Sequence, residues 1–147
     1  MKRLAVSLSI ILIALVSAQL AWAQAKPLTI QDLLKLRRVG DPQLSPDGRW
    51  VAFTISDLNW DANRRVTQIY LISVDGGEPK QLTNAPQSSS TPRWSPDGKR
   101  LAFISAREGG AQVWTIDIAT GEQKKVTNIS TGAGDPVWSP DGRMIAF

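Results

Sequence analysis

The side chains with a capacity for chemistry are few in this 147-residue chain, and their spacing is regular. Three aspartates, Asp47, Asp97 and Asp141, each stand in the tetrapeptide Ser-Pro-Asp-Gly. Recurring carboxylates could ligate a hard cation such as calcium, which takes roughly six to eight oxygen ligands. An Asp ahead of Gly in a turn has a simpler use: it caps its own backbone, while Pro and Gly supply the φ values that the turn needs. All three are therefore read as turn residues, and no metal or cofactor is expected. Nucleophilic chemistry lacks its parts. The chain has no His and no Cys, hence no imidazole base, no thiolate and no His/Cys metal set. It also lacks the G-x-S-x-G elbow of serine hydrolases and the phosphate-binding G-x-x-x-x-G-K-[ST]. A self-contained Ser-His-Asp hydrolase is excluded, and no independent catalysis is expected. The remaining candidate is Trp60, set among Asn59, Asp61, Asn63 and Arg64. An indole there could stand exposed and contact a peptide or a partner domain, or fold back over a sheet edge.

The elements that would position these residues come from a repeat. Residues 42–53, 92–103 and 136–147 align as Pro-x-[Leu/Trp]-Ser-Pro-Asp-Gly followed by a short apolar run ending in Ala-Phe. The offsets are 50 and 44 residues, and residues 69–84 match 113–128 without a gap at the second offset. Six extra residues of the first repeat therefore fall within 56–65, around Trp60, as an insertion expected to be confined to one loop. Each repeat reads as four short strands with turns between them. In the second, these are 92–95, 99–105, 112–118 and 122–127. Both faces of the second strand are apolar: Leu101 and Phe103 point one way, Ala102 and Ile104 the other. A strand buried on both sides suits a blade held between neighbouring blades, and four-stranded repeats of this length mark a β-propeller. The expected architecture is all-β, a partial propeller of four-stranded antiparallel blades: blade 1 over about 42–84, blade 2 over about 92–128, and the start of a third over 136–147. Trp94, Trp114 and Trp138 occupy repeat positions and are expected in the core, while Leu44 replaces the tryptophan in the first repeat.

Ahead of the repeats, residues 1–23 form a different physical class. Lys2 and Arg3 precede a charge-free apolar run, and Ala21-Trp22-Ala23 has the small-x-small form of a cleavage site. This reads as a secretory signal peptide cut after Ala23, with an uncleaved anchor as the alternative. Export to the periplasm or the extracellular space follows, with no stable membrane span after cleavage. Cleavage removes two basic residues and leaves 15 basic against 13 acidic, a net charge of +2. The pairs Arg37-Arg38, Arg64-Arg65 and Lys124-Lys125 are scattered and read as solvated faces, so no nucleic-acid partner is expected. Residues 24–41 are a lead containing a short amphipathic helix. Thr29 is its cap, Leu28 and Leu33 its hydrophobic staple, Gly40 its end, and the propeller edge the surface it packs on.

The three W/L-S-P-D-G-[KR]-x-[LIVM]-A-F segments resemble the repeats of periplasmic Tol-system propellers and of the N-terminal propellers of the prolyl oligopeptidase family of serine peptidases. The segment Leu28–Gly48 is similar to the start of secreted acylaminoacyl-peptidase-like members of that family. The resemblance implies a propeller that restricts access of peptides to an α/β-hydrolase domain, here absent together with the later blades. It carries over no catalytic residue. Two readings stay open: the propeller fragment of an exported serine peptidase, or a non-enzymatic propeller that binds protein partners. A third is a chain that completes its ring by self-association.

Overall fold

The computed structural model describes residues 27–147, so the expected signal peptide and its cleavage after Ala23 lie outside the described residues. The chain divides between Leu33 and Leu34. Helix α1, Ile30–Lys35, is a six-residue segment with no buried residue. Its start is the cap read from the sequence: the Thr29 hydroxyl donates to Asp32 Oδ2 at 2.7 Å, and Asp32 N donates back to Thr29 Oγ1 at 3.2 Å. Leu28 and Leu33, expected to close over that cap, are both exposed. The expected helix end at Gly40 is corrected, because Arg38–Leu44 is strand β1 and Gly40 pairs with Thr54 in it.

From Arg38 onward the chain is β-structure. Strands β1, β2 (Trp50–Asn59), β3 (Arg64–Ser73) and β4 (Lys80–Gln81) form one antiparallel sheet in sequence order. A second sheet follows the same order with β5 (Ser89–Trp94), β6 (Arg100–Ser105), β7 (Gln112–Asp117) and β8 (Gln123–Lys125). Strands β9 (Val137–Trp138) and β10 (Ile145–Ala146) pair as the beginning of a third. The first strands of consecutive sheets lie side by side, β1 next to β5 and β5 next to β9, as in blades set around an axis. The register repeats with the sequence: Phe53 pairs with Tyr70 as Phe103 pairs with Trp114.

The core lies between the two complete sheets. Ala52, Ile69 and Leu71 from blade 1 cluster with Leu101, Phe103, Trp114 and Ile116 from blade 2, and Leu82, Trp94 and Ile118 pack against them. Ala102, on the opposite face of β6, is also fully buried, so this strand is covered on both sides as its composition requires. Trp114 is buried as expected. Trp94 and Trp138 are only half-buried, which revises their assignment to the core. Each reaches the preceding blade, where the Trp94 indole N–H donates to the Gln43 carbonyl at 2.9 Å and that of Trp138 to the Arg93 carbonyl at 3.0 Å. The repeated tryptophan thus ties one blade to the backbone of the one before it.

Each repeat carries one backbone irregularity at the same position, within its first strand or just ahead of it. Asp41, Thr91 and Asp135 have φ values of 46°, 56° and 45°, each ahead of a proline, and the pairing of β1 and of β5 shifts register there. Asp tolerates left-handed φ better than a β-branched residue does. Thr91→Asn is expected to stabilise the chain by about 1 kcal/mol, seen as a raised urea midpoint with an unchanged slope. A lowered midpoint would show that Thr91 is held there by contacts worth more than the strain.

Candidate functional site

The three Ser-Pro-Asp-Gly turns are built alike. Ser45, Ser95 and Ser139 each donate their hydroxyl to the Asp two residues on at 2.6 Å. Each of those oxygens accepts in turn from the backbone N–H of Trp50, Arg100 or Met144 at 2.9–3.0 Å. The aspartates also accept from the N–H of Arg49, Lys99 and Arg143 at 3.1–3.2 Å. The carboxylates are therefore occupied by their own turns. Hydrogen bonding from Ser45, then from Arg49, lowers the Asp47 pKa to about 2, and the hydroxyls of Ser95 and Ser139 lower those of Asp97 and Asp141. Carboxylates held below their unfolded value near 3.9 stabilise the fold above that pH and lose the contribution as pH falls through the folded value. Stability measured by urea at fixed salt is expected to be flat between about pH 5 and 7 and to fall from about pH 4 toward 2, with the triple Asp→Asn variant showing a shallower fall. An equal acid slope in that variant would move the effect to other carboxylates.

Trp60 lies elsewhere. The insertion is not the irregular loop expected, for it lengthens the β2–β3 hairpin into a regular two-stranded ribbon. Four rungs, from Ser56↔Thr67 to Asn59↔Arg64, continue the ladder past Ile55↔Gln68, whereas blade 2 stops at the equivalent Ser105↔Gln112. Val66 and Thr67, both β-branched, suit a strand and let the ladder run on. The turn is set by Asn59, whose side-chain oxygen accepts from Ala62 N at 2.9 Å, and by Asn63 in left-handed φ. Trp60 sits at this tip with 60% of its surface exposed, so it does not fold back over the sheet.

Below the tip, a cleft of about 310 Å³ is lined by Leu34, Lys35, Arg37, Asp57, Leu58 and Trp60. Arg37 grips Asp57 in a two-pronged pair at 2.9 and 3.1 Å and lies over the Tyr70 ring at 5.8 Å. The carboxylate beside it raises the Arg37 pKa further. Arg65 donates to the carbonyls of Leu36 and Ser56, both at 3.3 Å, and Arg64 to the carbonyl of Pro86 at 3.1 Å. Arg37 and Arg64 are exposed, as expected of solvated faces, and together with half-buried Arg65 they also pin the ribbon to the chain on either side of it.

Residues 35–147 match the TolB beta propeller domain model. The chain belongs to the TolB β-propeller domain family. Among its relatives is the dipeptidyl-peptidase 5 of Porphyromonas endodontalis, 34% identical over 87 residues, which are 59% of this chain and 13% of that protein. The chain thus spans about one-eighth of the length of that curated relative. Of solved structures, the TolB-type propeller here resembles TolB from Acinetobacter baumannii, at 30% identity and a TM-score of 0.62 over 73% of this chain and 25% of that one. It also resembles an acylaminoacyl peptidase of Pyrococcus horikoshii, at 28% identity and a TM-score of 0.63 over 77% and 17%. The TolB-type propeller is therefore a domain that proteins named as peptidases also carry, and both halves of the sequence-based resemblance are met.

Several residues that organise this TolB-type propeller escaped the sequence reading. Gln68 and Thr83 in blade 1, and Gln112 and Thr127 in blade 2, form matching buried pairs in which the Thr hydroxyl donates to the Gln side-chain oxygen at 2.7 Å. Their common 44-residue spacing was the available signal. Arg93 grips Asp41 of the preceding blade with both contacts at 3.0 Å. One repeat later the same two positions hold Thr91 and Val137, so an ionic pair is replaced by a β-branched one. An arginine also covers the third-strand aromatic in each blade, Arg37 over Tyr70 and Arg107 over Trp114 at 4.6 Å, but from unrelated points in the sequence. Among the described residues no helix is long and apolar enough to cross a membrane.

Proposed function

We propose that the chain is the propeller portion of a larger exported serine peptidase of the prolyl-oligopeptidase type, with a signal peptide over 1–23 ahead of the propeller blades. Its role is to bind or admit peptide substrate and to pack on an α/β-hydrolase domain outside these residues. The observation that carries this reading is the match to a dipeptidyl-peptidase over only 13% of that protein's length, by a chain that itself has neither His nor G-x-S-x-G. Export is supported by the basic start, the apolar run and the Ala21-Trp22-Ala23 site. Trp60 is the residue of the chain assigned to contact with a peptide or with the partner domain, supported by its exposure at a ribbon tip.

The coding sequence downstream of Phe147 tests the proposal. Further repeats followed by a domain with G-x-S-x-G, Asp and His are expected. Repeats that end without such a domain would replace it with the second reading, a non-enzymatic scaffold for protein partners, which the 30% identity to TolB favours. For export, N-terminal sequencing of the secreted protein should begin at Gln24, and an intact Met1 would overturn cleavage.

A further inference from the structure

The tip of the β2–β3 ribbon is a part of the molecule that the blade architecture does not need. Blade 2 joins its central strands through residues 106–111, whereas blade 1 spends residues 56–67 on the same connection. The added residues carry a tryptophan into solvent, while Trp94, Trp114 and Trp138 are all engaged in blade packing. An exposed indole over a preformed concavity is the usual make-up of an interaction hot spot.

The cleft beneath it has an apolar lining and a cationic rim. Leu34, Leu58 and Trp60 supply the apolar surface. Asp57 is neutralised by its two-pronged bond to Arg37, which leaves Lys35 as the net charge, with no carboxylate within 4 Å among the described residues. Behind the tip, Arg64 and Arg65 bond to carbonyls and make no salt bridge among the described residues. The walls are held in place before any ligand arrives, by the Arg65 bond to the Leu36 carbonyl and by the Arg37–Asp57 pair, which reduces the ordering cost of binding. About 310 Å³ is at the small end of ligand pockets and suits one large side chain.

We propose that this cleft binds an extended peptide segment through one large apolar side chain, aromatic or leucine, flanked by acidic residues. The inference rests on the reading of Trp60 as a contact residue and supplies the chemistry of what it contacts. The concave form favours a side chain over a lipid surface.

The test is fluorescence polarisation of a labelled, end-blocked Glu-Glu-Phe-Glu-Glu peptide titrated with the chain. Saturable binding is expected, weakened at least about tenfold by Trp60→Ala and about threefold by Lys35→Gln, with Trp60→Phe retained within about threefold. Lys35→Glu should shift preference toward Lys-Lys-Phe-Lys-Lys, which keeps the question answerable if one variant misfolds, and Glu-Glu-Ser-Glu-Glu should bind poorly to every form. Equal affinity for Trp60→Ala and the parent overturns the proposal, as does equal affinity for the basic peptide or no saturable binding. Binding confined to phosphatidylcholine/phosphatidylglycerol vesicles would assign the patch to a lipid surface and overturn it as well. A downstream sequence without a hydrolase domain would remove the peptidase reading and leave this binding result standing.

Discussion

Replacing Phe103 with alanine is expected to destabilise the chain by about 3–5 kcal/mol. The ring is fully buried, and its neighbours come from both complete blades: Ala52, Ile69 and Leu71 on one side, Leu101, Trp114 and Ile116 on the other. The cavity would open at the seam between two sheets rather than inside one, where backbone ladders on either side resist collapse. The Arg107 guanidinium, 5.5 Å from the ring centroid, would lose one of the two aromatic surfaces it covers and keep Trp114. Domains have total stabilities of roughly 5–15 kcal/mol, so urea unfolding should show most of the transition lost or displaced to low denaturant. Phe103→Leu, which nearly conserves volume, should cost less than about 1.5 kcal/mol. A loss below 1.5 kcal/mol for alanine as well would mean that the seam closes over the gap, and that blade contact is looser than the burial implies.

How far this architecture is legible in the sequence depends on the range of the interaction involved. The Ser-Pro-Asp-Gly turns were legible because everything they need lies within six residues, from Ser95 to Arg100 in the second repeat. The four-stranded order was legible because apolar alternation and turn residues recur at fixed offsets. The Trp94 and Trp138 indole bonds were not, because their acceptors are backbone carbonyls, which any residue supplies, on another blade. Their half-burial follows from the same geometry: the ring stands at the boundary between blades with its N–H turned to the neighbour's backbone. The helix end was misplaced because Gly40 is a plausible terminator on local grounds, and only pairing with Thr54 shows that the segment is strand. The ribbon was legible as an insertion and illegible in shape, since polar residues around Asn59, Asp61 and Asn63 look alike in a loop and at a hairpin tip.

Local and tertiary constraints meet at the two Gln–Thr pairs, and there the second large effect is expected. Thr83→Val should cost about 2–4 kcal/mol with no change of volume to account for it. Thr83 is 1% exposed, its hydroxyl accepts from Ile69 N at 2.9 Å, and it donates to Gln68 Oε1 at 2.7 Å. Valine fits the same space and leaves both groups buried and unpaired, and an orphaned buried polar group costs about 1–3 kcal/mol. The Gln68 amide would stay anchored by its bond to the Ala85 carbonyl at 2.7 Å, so its oxygen could not readily turn to another donor. Thr127→Val, the same change one repeat on, should cost less. There Gln112 Oε1 also accepts from Ile129 N at 3.2 Å, and only the Val113 N–H would be orphaned. Urea unfolding of the two variants beside Thr83→Ser, which keeps the hydroxyl, measures the difference. Equal losses for Thr83→Val and Thr127→Val would place the cost in the backbone N–H alone, and a Thr83→Val loss below about 1 kcal/mol would show that the freed groups find other partners.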